Sequence, residues 1–222
     1  MKPFETLGEF TTTEGHRLTL HRRTRDYYLY FDGEELMSTR RPASESALAT
    51  LACRYLADTQ RPRVLIGGLG FGYTLRAALD ALPPAAEVEV AEVFPTIVDW
   101  NREYLAEIQD HPLDDRRVHV CVSDVRDLLL ENFRGRYQAI LLDVDNTPEA
   151  WCIKTNGQLY DERGLGRIKR CLSPGGILAV WSANPEPAFV KRLRKTGFKV
   201  STETVRAFGG RGSRHTIFLA RT

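Results

Sequence analysis

The chain has 222 residues, with 31 Lys and Arg against 29 Asp and Glu and a net charge of +2. So even a balance excludes a protein held to nucleic acid by bulk charge, and no apolar run is long enough to span a bilayer. Cys53, Cys121, Cys152 and Cys171 are scattered, with no Cys-x-x-Cys pair and no histidine at ligand spacing; free thiols and no metal are therefore expected, and a cytoplasmic location, since Met1-Lys-Pro-Phe-Glu-Thr6 has no apolar core of a secretory leader.

The first 42 residues read as a small N-terminal β-hairpin region. Leu18 and Leu20 alternate with polar neighbours, and Tyr27-Tyr-Leu-Tyr-Phe31 is rich in strand formers and precedes the turn pair Asp32-Gly33. Ser44 is placed to cap a helix from Glu45 to about Ala57, with Leu48, Leu51, Ala52 and Leu56 on its buried face.

Residues 43–222 read as one nucleoside-binding unit, in which strands and helices alternate from residue 63. Strands are predicted at 64–66, 88–93, 117–122, 138–143, 176–182, 197–206 and 214–221, and helices at 72–82, 95–109, 125–132, 158–171 and 186–196. Pro95 suits a first helical turn, and Leu172-Ser-Pro-Gly-Gly176 reads as a turn into a buried strand. Repeated βαβ units imply a parallel sheet covered by helices on both faces. No helix separates the last two strands, so they should form an antiparallel hairpin. The fold class is α/β: a Rossmann-like, doubly wound, mostly parallel seven-stranded sheet whose last strand is antiparallel.

In such a sheet ligands sit beyond the carboxyl ends of the strands. After Val64-Leu65-Ile66 come Gly67, Gly68, Gly70 and Gly72, then a helical pattern from Tyr73. Glycines there let a ligand approach the backbone and its free N–H donors, although glycine-rich turns also close ordinary βα units. Glu92 ends the next strand about 20 residues on, where a carboxylate suits ribose hydroxyls. Asp124 ends the third strand. It suits either an exocyclic adenine amine or the N-cap of the helix beginning at Val125. Asp143, Asp145 and Asn146 follow the buried run Ile140-Leu-Leu142. Carboxylates at a strand end suit a protonated amine and its deprotonation, or else simply a solvated loop. Trp151 is placed to wall an acceptor pocket, with Trp181 and its followers beside it, whereas Trp100 reads as core.

From Leu18 to Ala220 this pattern resembles the spermidine synthase family and its class I S-adenosylmethionine-binding relatives. The run Gly67-Gly-Leu-Gly-Phe-Gly-Tyr-Thr-Leu-Arg76 is similar to the family's glycine loop, Asp143-Val-Asp-Asn-Thr-Pro148 to its Asp-Ser-Ser-Asp-Pro catalytic loop, and Phe31-Asp-Gly33 to its Leu-Asp-Gly hairpin. The resemblance implies that Gly67, Gly68, Gly70, Gly72, Glu92, Asp124 and Val125 bind S-adenosylmethionine or its decarboxylated form. It implies that Asp143 is the proton acceptor, and that Asp145, Asn146, Trp151, Tyr160 and Glu45 lie on the side of a small-molecule amine acceptor. It further implies transfer of an aminopropyl or related alkyl group, leaving methylthioadenosine, and a homodimer. Two family aspartates fall on Phe71 and Asn146, and only Glu45 of the acceptor-side Tyr-Gln-Glu motif has a counterpart. Phe71 tolerates the carboxylate of an intact donor. Methyl transfer, leaving S-adenosylhomocysteine, therefore stays open as an alternative, as does a non-catalytic nucleoside-binding scaffold.

Overall fold

The computed structural model describes residues 3–40, 42–130, 134–144, 157–208 and 211–222. The N-terminal region is larger than a hairpin. Strands β1 (Glu5–Thr11), β2 (Arg17–Arg23), β3 (Asp26–Phe31) and β4 (Glu34–Ser38) pair in sequence as an antiparallel four-stranded meander. Asp32 and Gly33 both have positive φ, 50° and 86°, as the tight β3–β4 hairpin turn requires. Asp32 also accepts the Arg17 N–H and so ties that turn to β2.

The large sheet contains β5 (Arg63–Gly67), β6 (Glu87–Glu92), β7 (Val118–Val122), β8 (Tyr137–Leu142), β9 (Leu172–Ser182), β10 (Lys199–Phe208) and β11 (Arg211–Arg221). Its order is β10-β11-β9-β8-β5-β6-β7, with only β11 antiparallel to its neighbours. Strand order reverses between β5 and β8, which makes their carboxyl ends the switch point where a crevice opens. Helices α1 (Ala43–Cys53), α2 (Tyr73–Ala81) and α3 (Pro95–Trp100) cover one face, and α4 (Val125–Leu130), α5 (Gly157–Tyr160), α6 (Glu162–Cys171) and α7 (Pro187–Lys195) the other. Leu18, Leu20 and Leu29 of the small sheet share a core with Leu48, Ile66 and Ile97, so the meander lies over the first helical face. Among the described residues no helix is long and apolar enough to cross a membrane.

Four expectations are corrected. Pro42, not Ser44, occupies the N-cap of α1; Ser44 is buried in the first turn, and its hydroxyl donates to the Glu45 carboxylate. Helix α1 ends at Cys53, and a 3₁₀ turn continues to Leu56. The helix expected over 95–109 gives way after Trp100 to a π turn (Asn101–Leu105) and a 3₁₀ turn (Ala106–Gln109). There the Asn101 amide donates to the Gly70 and Ile97 carbonyls, which anchors the glycine loop to the bulge. The helix expected over 158–171 breaks at Asp161, whose carboxylate caps α6 by accepting the Gly164 N–H.

Strand β1 passes directly over the buried Trp100, and a Cβ on Gly8 would collide with its indole ring. Gly8→Ala is expected to lower stability by about 1–3 kcal/mol, read as a lower denaturation midpoint at unchanged slope. An unchanged midpoint would show that the small sheet does not rest on Trp100.

Candidate active site

The backbone of the switch point is tied together strand by strand. The Gly68 N–H donates to the Ala91 carbonyl at 2.9 Å, the Asp143 N–H to Gly67 at 3.0 Å, and the Ser123 N–H to Glu92 at 3.0 Å. Gly68 has φ +89°, and a Cβ there would collide with the Asp143 carbonyl oxygen; only glycine lets the two strand ends come this close. A Cβ on Gly70 would likewise press on the Met37 side chain.

Above these ends lies a cavity of about 350 Å³, within the range of small-molecule sites. Its floor holds Gly68, Gly70, Glu92, Asp124, Val125 and Asp143. Leu18, Leu29, Phe31, Leu36 and Met37 of the small sheet form one wall, and Trp181 and Ala183 at the end of β9, with His215 of β11, another. Trp181 and His215 meet edge to face, with ring centroids 4.8 Å apart.

Glu92 is 7% exposed. One carboxylate oxygen accepts the Leu69 N–H at 2.9 Å and the other the Phe94 N–H at 3.0 Å. Burial pushes its pKa up, and the hydrogen bonds from loop amides oppose that. A carboxylate offers about four acceptor sites, so hydroxyl donors from the cleft still find lone pairs here. Asp124 takes the N-cap role: it accepts the Arg126 N–H at 2.8 Å and pairs with that guanidinium at 2.7 Å. Burial pulls the Asp124 carboxyl up, but the side-chain and backbone hydrogen bonds from Arg126 outweigh it and hold the group below the ordinary range. Asp124 still lines the cavity, so capping and ligand contact are compatible.

Asp143 and Glu45 are the chemically distinctive pair. Burial, reinforced by the Glu45 charge, pushes Asp143 up to about 7, against a lowering hydrogen bond from Thr74. Burial also raises Glu45, opposed by the Ser44 hydroxyl, which donates to it at 2.7 Å. Two such carboxyls in one cleft hold protons to higher pH than either would alone, and they present a place for a cation. A carboxyl that titrates near neutrality also suits general base catalysis.

Other positions fall elsewhere. Tyr160 is 2% exposed and packs edge-on against Phe189 in the core of the opposite helical layer, outside the cavity lining. Phe71 is 3% exposed and is buried in the first core rather than facing the cleft; its neighbours Gly70 and Gly72 both have positive φ, and the loop carries its side chain inward. Asp145, Asn146 and Trp151 lie outside the described residues. Three contributors had no chemical signal in the sequence: the small-sheet wall, His215, and Thr74, which reads as an ordinary first-turn residue of α2. Among the described residues, no group of three or more His, Cys, Asp or Glu side chains is placed to hold a metal ion.

No family model matches the chain. It is 26% identical over 196 residues to a polyamine aminopropyltransferase of Mycobacterium tuberculosis, covering 83% of this chain and 35% of that protein. It is 27% identical over 154 residues to one from Prochlorococcus marinus, covering 67% of this chain and 52% of that protein. The chain thus spans between about a third and a half of the length of these relatives. Its fold is that of spermidine synthases. A spermidine synthase in complex with the transition-state analogue AdoDATO superimposes with a TM-score of 0.75 at 16% identity, over 97% of this chain and 72% of that one. The spermidine synthase of Thermotoga maritima gives 0.74 at 16% identity over the same shares.

The raised Asp143 has a consequence for stability. The folded chain holds a proton on this pair that the unfolded chain loses near 3.8, so the stability contribution falls as pH rises from about that value to about 7. Both carboxyls are only half-buried, which brings the penalty above neutrality to about 1–3 kcal/mol. Asp143→Asn is therefore expected to stabilise the chain by that amount at pH 8 and to change little at pH 4. Equal effects at both pH values in thermal melts would show that the pair is not strained.

Proposed function

We propose that this chain binds decarboxylated S-adenosylmethionine and transfers its aminopropyl group to a small-molecule amine acceptor. One observation carries the reading. Among the described residues that line the cavity are the carboxyl side chains of Glu35, Glu45, Glu92, Asp124 and Asp143, and there is no Lys or Arg. A donor with an intact carboxylate would enter a cleft of like charge with no cationic partner, whereas the decarboxylated donor and an amine acceptor each bring an ammonium group. The case for intact donor rested on Phe71 facing it, and Phe71 is buried away from the cleft.

When bound, the donor supplies a carbon next to a positively charged sulfur, open to in-line attack with a neutral thioether leaving. The residues here do the rest. Glu92, fixed by two backbone amides, accepts from the ribose hydroxyls. Asp124, held by Arg126, takes the adenine side beside Val125. Glu45 and Asp143 hold the ammonium of the acceptor, and the ionised Asp143 takes its proton and frees the lone pair for attack. The small-sheet wall keeps water from the reacting centre and aligns the two substrates. A carboxyl poised near 7 favours catalysis over a passive scaffold, which has no use for a strained base.

Glu92→Ala is expected to weaken methylthioadenosine binding by about 1.5–3 kcal/mol, the loss of hydrogen bonds to a charged group; calorimetry that gives unchanged affinity would remove Glu92 from the ribose site. In turnover assays, decarboxylated donor plus a primary amine should release methylthioadenosine. Asp143→Asn should abolish that release and leave nucleoside binding nearly intact. Release of S-adenosylhomocysteine from intact donor would replace this reading with methyl transfer. No product from either donor across a panel of amines would leave a binding protein.

A further inference from the structure

We infer that Thr74 is a positioning residue for Asp143: its single hydroxyl switches between two acceptors and so keeps the base hydrogen-bonded whether or not it carries a proton. The inference rests on the reading of Asp143 as the proton acceptor. Thr74 is the second residue of α2 and is 3% exposed. Its Oγ1 lies 3.3 Å from Oδ2 of Asp143 and 3.2 Å from the main-chain oxygen of Glu45. One hydroxyl has one proton, and neither of these oxygens can donate while Asp143 is ionised. With Asp143 ionised, the hydroxyl must donate to Oδ2. With Asp143 protonated, the carboxyl donates to Oγ1, and the hydroxyl turns to the Glu45 carbonyl. That carbonyl lies within α1, where the helix supplies its own donor four residues on, so it loses little when the hydroxyl turns away. The same side chain thus touches both elements that bear the carboxyl pair, α1 and the end of β8, and it moves no heavy atom when the proton arrives or leaves.

The direction of its influence follows. Donation to the ionised form favours that form, in keeping with the lowering that the Thr74 hydrogen bond exerts on Asp143. Among the described residues, the other titratable groups around the cleft are Glu45 on α1, Glu35 on β4, Glu92 at the end of β6, Asp124 before α4 and His215 on β11. Of these, Glu45 raises Asp143 by its charge, against the action of Thr74.

Carboxyl-carbon NMR of aspartate-labelled protein would test this, with the Asp143 resonance identified by its loss in Asp143→Asn. Thr74→Val and Thr74→Ala are measured side by side, since alanine only removes atoms and guards against misfolding of the valine variant. Both should move the Asp143 midpoint up by about one pH unit, a tenfold gain in proton affinity, as expected for the loss of a hydrogen bond to a charged group. Thr74→Ser, which keeps the hydroxyl, should titrate as the unsubstituted chain does. A midpoint unmoved in the folded valine or alanine variant overturns the inference, as does a serine variant that titrates like alanine. The readout needs neither donor nor acceptor. Shifted midpoints in a chain that turns over no donor would keep this role for Thr74 and remove only the transfer reading. In an active chain, the acid limb of the rate profile should move upward with the midpoint.

Discussion

The site depends on one backbone contact: Gly68 passing against the carbonyl of Asp143 where β5 and β8 end together. Gly67 accepts the Asp143 N–H at 3.0 Å, and Gly68 then turns away with φ +89°. Any side chain at position 68 would force the strand ends apart. This contact puts the glycine loop and a half-buried carboxyl within one ligand's reach. Parallel strands on opposite sides of a switch point diverge beyond their ends, so a crevice forms between them without further design. The Asn101 amide secures the outer side of the loop through Gly70, and the π turn that presents Asn101 is the price in helical regularity.

Charge is distributed against the global average. The chain is nearly neutral overall, yet the described lining of its cleft collects five carboxyl side chains and no Lys or Arg. Each acid is handled differently, and its partners decide its proton affinity. Asp124 has a guanidinium and stays ionised. Glu92 has amides from two loops, which offset part of its burial. Asp143 has one hydroxyl and a like-charged neighbour, and it is pushed up to about 7. The one carboxyl held below the ordinary range, Asp124, thus falls on the side of the cleft assigned to the nucleoside, and Asp143 is raised where a proton is proposed to be taken up.

Much of the large sheet was legible in the sequence because both its faces are covered. A strand such as Ile140-Leu-Leu142 must then be apolar throughout, and an unbroken apolar run before glycines or an acid has few other readings. The strand-end acids were visible for the same reason, since topology places them. What stayed hidden was set by long-range contact. Nothing local marks Thr74 as a neighbour of residue 143, or the inner face of β2–β4 as a cavity wall. The family resemblance puts Tyr160 on the acceptor side, but its ring turns into the opposite core against Phe189. Phe71 was read from its place in the glycine run, but the positive φ angles on either side of it decide where its side chain goes. Helix ends were misjudged where one side chain outbid propensity, as with Asn101 and Asp161.

The acid pair also explains why a cleft of this kind is closed by a β meander. A half-buried carboxyl set beside a like charge is strained without a cation, and the strain is greater the less water reaches it. Leu18, Leu29 and Met37 exclude water from one side of the cleft, and Trp181 with His215 narrows the other. An ammonium group entering between Glu45 and Asp143 replaces the missing counter-charge and favours the ionised state of both. On the proposed reading, an amine acceptor would ionise the base by its own charge, at the place where a proton acceptor is needed. An uncharged molecule of the same shape would leave the pair protonated and the base inactive. Selectivity for amines over alcohols would in this way be a property of the strained pair itself, independent of how closely the apolar walls fit the rest of an acceptor.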